Sequence, residues 1–268
     1  MNKSPGSLLV ASAWILASTM LQFSVPHCSA AEQGLSAEEH VSNLKRIVGD
    51  HASATNVLDE RYIHVTSGGK VGVDFDIVCD LTPQVELVSK VARRICEADF
   101  HIRGTDKDDA YVFENEDGET SDIFLLYQKI GTNSCESVSY VTGERFFGSF
   151  KALIHVVTTP VEGEGAEYKV DLYAYPESST VRFLVRNIGI VRRYFRSKAL
   201  EITEAANRAS VRIVNDPEFV LNEIGGCKNP EEKICFSDEE EEFIRELYRI
   251  HGIDTRKSDA GTSVLQPR

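Results

Sequence analysis

One stretch near the C-terminal end predicts a long amphipathic helix, and this helix constrains the fold more than any other feature. Apolar residues recur there at intervals of three and four without a break. That spacing places them on one side of an α-helix, which the rest of the chain must cover. A single glycine, Gly189, is expected to weaken the helix by about 1 kcal/mol without ending it. The apolar positions are Val181, Leu184, Ile188, Val191, Phe195, Ala199, Ile202, Ala206, Ala209 and Ile213.

The opposite side of this helix is basic, although the whole chain has a formal net charge of −13. Residues 182–212 can serve as a surface for an acidic protein or for an anionic membrane. Alternatively they neutralise the chain's own carboxylates, such as those of Asp238–Glu242, and the acidic composition favours this second interpretation. The net charge argues against nucleic acid as a partner. The basic residues are Arg182, Arg186, Arg192, Arg193, Arg196, Lys198, Arg208 and Arg212, against Glu201 and Glu204.

A strand, a helix and an antiparallel meander are predicted ahead of the long helix. A short strand, Tyr62–Val65, precedes a turn, and residues 71–79 (VGVDFDIVC) then alternate as in a strand buried on one side. Residues 80–99 switch to helical spacing. Alternating segments separated by turn residues then predict further strands. These segments are Tyr111–Asn115, Asp122–Ile130, Ser137–Phe146, Phe150–Thr158 and Tyr168–Tyr175.

Further helices are predicted on both sides of this part, from capping signals. A serine followed three residues later by glutamate forms a capping box at a helix start, and glycine commonly follows a helix end. The tail, residues 255–268, is polar and is expected to be disordered. The start signals are Ser36 with Glu39, Pro217 after Asp216, and Ser237 with Glu240; the stop signals are Gly225 with Gly226, and Gly252.

This order of elements resembles the helix-grip fold of START-like lipid-transfer and polyketide-cyclase-like domains. The similarity covers about Gly69–Asn215, with residues 73–91 like the first strand and following helix and residues 181–209 like the gripping helix. It is a similarity of pattern, without a diagnostic motif. The resemblance implies an α+β fold in which a curved antiparallel sheet wraps one long C-terminal helix, with a hydrophobic cavity between them. An α+β domain of another topology is the alternative.

The candidate pocket residues come from the long helix and one strand. The helix alanines either allow close approach to the sheet or leave room for a ligand. His155 lies between two apolar residues of a predicted strand, so an inward imidazole would orient a ligand or act as an acid or base. The alternative is a histidine that faces solvent or is hydrogen-bonded to a neighbour. The candidates are His155, Phe195, Ala199, Ile202, Ala206 and Ala209.

The sequence contains no recognisable catalytic, metal or cofactor motif. There is no GxSxG elbow, no HExxH and no glycine loop for phosphate. The cysteines lack CxxC spacing, which argues against a zinc site. The acidic segment TDKDDAY lacks the glycine of an EF-hand loop, because Tyr111 stands at that position. We therefore predict no catalytic residue, no metal and no cofactor.

The N-terminal segment predicts export. Residues 1–31 read as a signal peptide, with an apolar run at Leu8–Leu21 and small residues before Glu32. The protein is then secreted, or periplasmic if bacterial, and disulfides are permitted. Cys227 and Cys235 are predicted to close a short polar ring worth about 2 to 3 kcal/mol. Among the other cysteines, Cys79 and Cys96 are expected as buried free thiols and Cys135 is left open.

These features predict a single domain over residues 32–254, whose part after residue 215 is a helical appendage. The favoured hypothesis is an exported noncatalytic protein that holds a hydrophobic or amphipathic small molecule, such as a lipid, between sheet and helix. The alternative is a scaffold with a packed core that meets a protein through its basic helix face or its acidic C-terminal helix. An enzyme using His155 as general base is the third and least supported hypothesis.

Overall fold

The protein is an α+β fold built on one curved antiparallel sheet. A computed structural model describes residues 36–60, 62–163, 165–226 and 234–255, apart from the side chains of 184–188. The sheet has seven strands in the order β1-β7-β6-β5-β4-β3-β2. The strands are β1 (Ile63–Val71), β2 (Phe100–Gly104), β3 (Ala110–Asn115), β4 (Thr120–Ile130), β5 (Cys135–Arg145), β6 (Gly148–Val161) and β7 (Gly165–Pro176).

Along the described part of the chain, two helices come before the first strand, two lie between the first and second strands, and four follow the last strand. Because β1 and β2 lie at opposite edges, the two helices between them carry the chain across the sheet. The long helix predicted after the last strand is present as α6. The helices are α1 (Ala37–Val48), α2 (Ala52–Glu60), α3 (Phe75–Leu81), α4 (Val85–Ile95), α5 (Ser179–Ile188), α6 (Ile190–Asn215), α7 (Pro217–Gly226) and α8 (Asp238–His251).

Both faces of the sheet are covered, and alternation along the strands assigns each residue to one face. On the inner face, which faces α6, Phe150, Ala152 and Leu172 pack in one cluster with Phe195. On the outer face, side chains including Leu153 and Tyr173 pack with residues of α1 and α2. The sheet therefore has two apolar interfaces, and a one-residue change of register would exchange them.

The C-terminal helices α7 and α8 complete the third apolar cluster, together with α3, α4 and the second half of α6. The buried Tyr248 hydroxyl donates to the carbonyl oxygen of Ile213 at 2.8 Å. Lys90 of α4 lies 3.0 Å from both carboxylate oxygens of Glu240 at the start of α8. Both contacts dock α8 against elements that also support the sheet. Among the described residues, none of the helices has the length and apolar character that crossing a membrane requires.

The predicted strand over residues 71–79 is wrong. Strand β1 runs through the predicted turn to Val71, and α3 begins at Phe75. The alternating residues are nevertheless buried, because α3 contacts β6 and β7 on one side and α8 on another. A short helix covered from two sides produces the same alternation of apolar residues as a strand buried on one side.

The long helix is interrupted at Gly189, contrary to the sequence prediction. Gly189 has φ +64°, a left-handed conformation that ends α5 and immediately precedes α6. The apolar spacing survives the interruption, since Val181 of α5 and Val191 of α6 are buried in the same cluster. The predicted continuous helix is therefore two consecutive helices that cover one face of the sheet.

The cysteines pair differently from the expectation. Cys79 of α3 forms a disulfide with Cys135, the first residue of β5, with 5.8 Å between their Cα atoms. The expected free thiol at Cys79 is therefore wrong, because the fold brings together two buried cysteines 56 residues apart. Cys96 is a free, half-buried thiol. Cys235 is disulfide-bonded, but Cys227 lies outside the described residues, so their pairing stays a prediction. The predicted signal peptide and nearly all of the predicted tail also lie outside them.

Candidate functional site: a cavity between the sheet and α6

A cavity of about 170 Å³ lies between the inner face of the sheet and α6. One wall is formed by apolar side chains of the five strands β3 to β7, and the other by α6. The wall residues come from neighbouring strands at alternate positions, as expected for one face of a sheet. They include Ile123, Val141, Ile154 and Leu172 on the sheet, opposite Phe195, Ala199 and Ile202 on α6.

The structure brings together three of the six predicted pocket residues at this cavity. Phe195, Ala199 and Ile202 line it along consecutive turns of α6. Ala206 and Ala209 lie further along the helix and are not among its lining residues. Ala209 is buried in the cluster that α6 forms with α4, where the small side chain lets the two helices approach. The alanines of α6 thus have two roles: Ala199 leaves room, and Ala209 allows close packing.

His155 lies on the outer face of the sheet, away from this cavity. Its neighbours Ile154 and Val156 point inward and line the cavity, so strand alternation directs the imidazole to the opposite side. His155 is 4% exposed, and its Nε2 lies 2.8 Å from Oε1 of Glu136. A role for His155 as general base in the cavity therefore has no geometric support.

One end of the cavity is polar and is built around Arg145, which the sequence reasoning missed. Its guanidinium is buried, and Nη1 donates to the carbonyl oxygens of Thr120 and Glu144 at 2.8 and 2.6 Å. Nε donates to the Tyr194 hydroxyl at 2.8 Å, and Nη2 donates to Ser121 Oγ at 2.7 Å. All three nitrogens are engaged, so this arginine positions its neighbours and is not free to bind an anion.

The sequence contains a signal for Arg145. The residue shares the strand face of the cavity-lining Val141, with Gly143 between them, so alternation alone points its side chain inward. Gly143 is required at that position, because a Cβ there would lie 2.6 Å from Ser121 Oγ and 3.1 Å from the Phe150 ring. An inward arginine next to an inward glycine therefore indicates a built polar site.

The charges near the polar end compensate one another. Arg145 Nε lies 3.3 Å from a Glu119 oxygen, and Lys198 lies within 3.0 Å of both Glu201 oxygens. Burial lowers the pKa of Lys198, but its contacts with Glu201 outweigh burial and leave the pKa raised. Burial raises the pKa of Glu201, and the neighbouring Asp99 carboxylate adds to the effect. No uncompensated charge of a described residue is left to attract a ligand ion.

Hydroxyl protons remain available at this end. Burial raises the pKa of Tyr194 against the opposing effect of Arg145, so the phenol stays protonated at neutral pH. The oxygens of Tyr194 and Ser121 accept from Arg145, and in the described part of the chain no acceptor takes their own protons. Thr203, in contrast, already donates to backbone carbonyls of α6. The site can therefore donate one or two hydrogen bonds to an acceptor atom.

Comparisons with known proteins leave the family open. No protein-family model matches the chain, and no curated protein matches it. Among solved structures, a hypothetical protein from Helicobacter pylori aligns at 11% identity over 55% of this chain and 86% of its own, with a TM-score of 0.40. A conserved protein from Geobacillus kaustophilus aligns at 13% identity over 56% and 96%, with a TM-score of 0.40.

A third solved structure is the di-domain ARO/CYC protein StfQ of the steffimycin biosynthetic pathway. It aligns at 14% identity over 67% of this chain and 60% of its own, with a TM-score of 0.39. Similarities at this level do not support an argument about this chain's fold or function. The fold and the candidate site are therefore described from the chain's own structure.

The basic side of α6 is only partly neutralised. Lys198 and Arg212 pair with Glu201 and Asp216. The expected pairing with Asp238–Glu242 is not formed among the described residues, since Glu240 pairs with Lys90 and Glu241 with Arg245. The remaining arginines of α6 are exposed and form no ion pair within the described part of the chain; they are Arg192, Arg193, Arg196 and Arg208.

Proposed function

We propose that the protein binds a small, largely apolar molecule in the cavity between the sheet and α6. The observation that supports this is a cavity whose walls are apolar and whose one end holds the hydroxyl groups of buried Ser121 and half-buried Tyr194, both with unused protons. Ligand sites combine these two features, because apolar walls supply affinity and a few polar groups set orientation. The ligand accepts a hydrogen bond from Tyr194 or Ser121.

The volume sets the size of the ligand. Drug-sized ligands occupy pockets of about 300 to 1,000 Å³, and an engineered apolar cavity of about 150 Å³ in another protein binds benzene. A cavity of about 170 Å³ therefore suits a molecule with one ring or a short chain. A long lipid chain requires α6 to move away from the sheet.

The charge state of the ligand follows from the compensated charges. Arg145 and Lys198 are each paired with a carboxylate, so a charged ligand would lose its hydration without gaining an ionic partner. We infer a neutral ligand with a carbonyl, ether or hydroxyl oxygen at one end.

Binding is tested with monocyclic probes. Isothermal titration and thermal-shift assays compare an aromatic ketone with the matched hydrocarbon that lacks the oxygen. We expect the ketone to bind more tightly, by about fivefold or more, since a net hydrogen bond contributes about 1 kcal/mol. Mass spectrometry of an organic extract from freshly purified protein identifies a natural ligand that copurifies.

Two matched variants on α6 decide whether binding uses this cavity. Ala199→Leu adds three carbons to the cavity wall and should lower affinity at least tenfold. Ala206→Leu makes the same change outside the cavity and should leave affinity unchanged. Equal effects of the two variants, or no binding of any probe by a cooperatively folded wild type, would refute the proposal.

We also propose that the protein is exported. The disulfide between Cys79 and Cys135 supports this, because such bonds form and persist in oxidising compartments. The predicted signal peptide, residues 1–31, would be removed. Intact-mass measurement of the protein from its native source should give a chain beginning near Ala31 or Glu32. A chain beginning at Met1 in the cytosolic fraction would contradict export.

A second candidate function is attachment to an anionic membrane surface. The first half of α6 exposes Arg192, Arg193 and Arg196 without ion pairs among the described residues, and Ile190 beside them is 58% exposed. Exposed basic and apolar side chains together suit an anionic interface. Sedimentation with phosphatidylserine vesicles should show binding that weakens with salt and is lost when the three arginines become glutamine. Binding to an acidic protein but not to vesicles would point instead to the scaffold hypothesis.

A further inference from the structure

The outer face of the sheet holds a cluster of buried polar side chains, on the side opposite the cavity that is proposed to bind the ligand. His155 of β6 and Asp171 of β7 are directly opposite in the strand register, and Asp171 is directly opposite Thr66 of β1. Three adjacent strands thus present polar side chains side by side. Helix α1 lies over them and contributes His40, whose ring centroid is 5.2 Å from that of His155. His155 and Asp171 are 4% and 3% exposed.

Two nitrogen atoms in this cluster are buried and have no hydrogen-bond partner. They are Nε2 of His40 and Nδ1 of His155. A buried polar atom without a partner costs about 1 to 3 kcal/mol, so such atoms require an explanation. One ring nitrogen of each histidine and a carboxylate oxygen of Asp171 lie within 4.8 Å of one another, and His40 Nε2 is 3.5 Å from Asp171 Oδ2.

The other atoms of the same side chains are held by neighbours. Nε2 of His155 lies 2.8 Å from Glu136 Oε1 and donates to this carboxylate, so in the neutral tautomer that makes this bond Nδ1 carries the lone pair. Oδ1 of Asp171 accepts from Thr66 Oγ1 at 2.6 Å and lies 3.0 Å from His64 Nε2. Histidine ligands of metals are commonly oriented in this way by an outer carboxylate.

We propose that His40, His155 and Asp171 form a binding site for a divalent transition-metal ion of the Zn²⁺ type. Two imidazole nitrogens and one carboxylate oxygen are a ligand set of zinc sites that leave one position open. Imidazole donors favour zinc, copper, iron or nickel over calcium and magnesium, which prefer oxygen. The His40 side chain is 21% exposed, so water can reach the cluster and would complete the coordination.

The site requires a small closure. Ligand atoms at about 2.1 Å from a tetrahedral ion lie about 3.4 Å apart. His40 and Asp171 already have that separation, and the widest pair of donor atoms must approach from up to 4.8 Å. His40 is on α1 at the rim of the cluster, so a small rotation of its side chain can supply the movement. The ion would then join α1 to strands β6 and β7.

One cation competes for the site. Lys169 Nζ lies 3.5 Å from Asp171 Oδ2, but this lysine side chain is 57% exposed. An exposed lysine can turn into solvent at little cost when a divalent ion takes its place. Replacing it with glutamine should therefore maintain or increase metal affinity, whereas a merely structural ion pair would predict only a loss of stability.

The test is equilibrium binding of Zn²⁺ to the untagged protein, with the bound metal counted by mass spectrometry. We expect one equivalent of Zn²⁺ per chain. His40→Ala and His155→Gln should each weaken binding at least tenfold, and Glu136→Gln should weaken it about 10- to 100-fold through loss of orientation. The control is His251→Ala, because His251 contacts Asp80 outside the cluster. Zn²⁺ should also slow hydrogen exchange of α1 in the wild type and not in His40→Ala.

Two results would overturn the proposal. The first is a folded wild type that binds less than one equivalent of Zn²⁺ when the Zn²⁺ concentration is about 100 µM. That concentration is about 100 times the dissociation constant of a micromolar site, so such a site would be saturated. The second is stoichiometric binding that His40→Ala leaves unchanged, which would place the ion elsewhere. His40 is partly exposed, so this variant decides the question even when His155→Gln fails to fold.

Discussion

Replacing Cys79 and Cys135 together with alanine is expected to lower the free energy of unfolding by about 4 kcal/mol. The bond joins residues 56 apart in sequence. A crosslink of that span removes loop entropy from the unfolded chain, and the standard relation gives about 4 kcal/mol at 25 °C. For a domain of this size, about 2 to 4 °C of melting temperature corresponds to each kcal/mol, so the midpoint should fall by about 8 to 16 °C.

The assay is urea denaturation of wild type and variants, each with and without reductant. Reductant should lower the stability of the wild type. It should lower the stability of the double variant less, because the bond between Cys79 and Cys135 is already absent there. Cys96→Ala is the matched control, because Cys96 is a free thiol and its loss leaves the bond intact. A Cys227→Ala/Cys235→Ala variant separates the predicted short ring, worth about 2 to 3 kcal/mol.

The reasoning would be refuted by a double variant that is as stable as the wild type in oxidising buffer. A second refuting result concerns proteins in which Cys227 and Cys235 are both replaced by alanine. The reasoning would fail if reductant lowered their stability by the same amount whether Cys79 and Cys135 were present or replaced. Either result would mean that α3 is held against the sheet by packing alone, without a contribution from the crosslink.

Other contacts give further predictions. Burial raises the pKa of Glu86, but hydrogen bonds from Lys90 and the Gly104 N–H outweigh burial and hold the pKa below its usual 4.5. Ionised Glu86 therefore stabilises the fold above pH 4.5, and this contribution disappears as the pH falls through the lowered pKa. Urea denaturation should show that the difference in stability between the wild type and Glu86→Gln closes below pH 4.5. A difference that stays constant with pH would contradict this. Gly189→Ala should lower the free energy of unfolding by about 1 to 2 kcal/mol in a thermal assay, because the left-handed φ is unfavourable for alanine. The added Cβ itself would meet no neighbouring atom within 4 Å. A stabilised Gly189→Ala would show instead that α5 and α6 can merge into one helix. Ser237→Ala should cost about 1 kcal/mol through loss of the cap of α8, and Ser237→Asn should cost little; equal losses would argue against capping.

Helix ends and the meander strands were predictable because their signals are local. The capping boxes of Ser36 and Ser237 are both formed, and α7 and α8 have the predicted limits. The ends of strands β3 to β7 differ from those of the predicted segments by a few residues at most. Caps and alternation depend on residues within one or two turns, which the sequence displays directly.

The misassigned and missed elements are those whose signals do not belong to a recognised sequence pattern. Helix α3 was mistaken for a strand because contacts from two sides bury its alternate residues. Helix α2 was not predicted; His51 Nδ1 accepts from the Ala54 N–H at its start, a cap outside the usual residue types. In both cases the decisive partner or neighbour is not part of a recognised sequence pattern.

The candidate sites divide in the same way. Helical spacing alone placed Phe195, Ala199 and Ile202 on one side of a helix that had to be covered. The buried Arg145 contradicts the tendency of charged residues to be exposed, and it is tolerated because acceptors from β4 and α6 surround it.

The sequence by itself determined the α+β class, the order of most elements and the apolar side of the long helix, because periodicity and capping are properties of neighbouring residues. Only the tertiary structure decided which side of β6 faces α6, the pairing of Cys79 with Cys135, and the meeting of His40 with Asp171. These depend on which strands become neighbours. That choice reflects the burial of whole faces, and it brings together side chains that are distant along the chain.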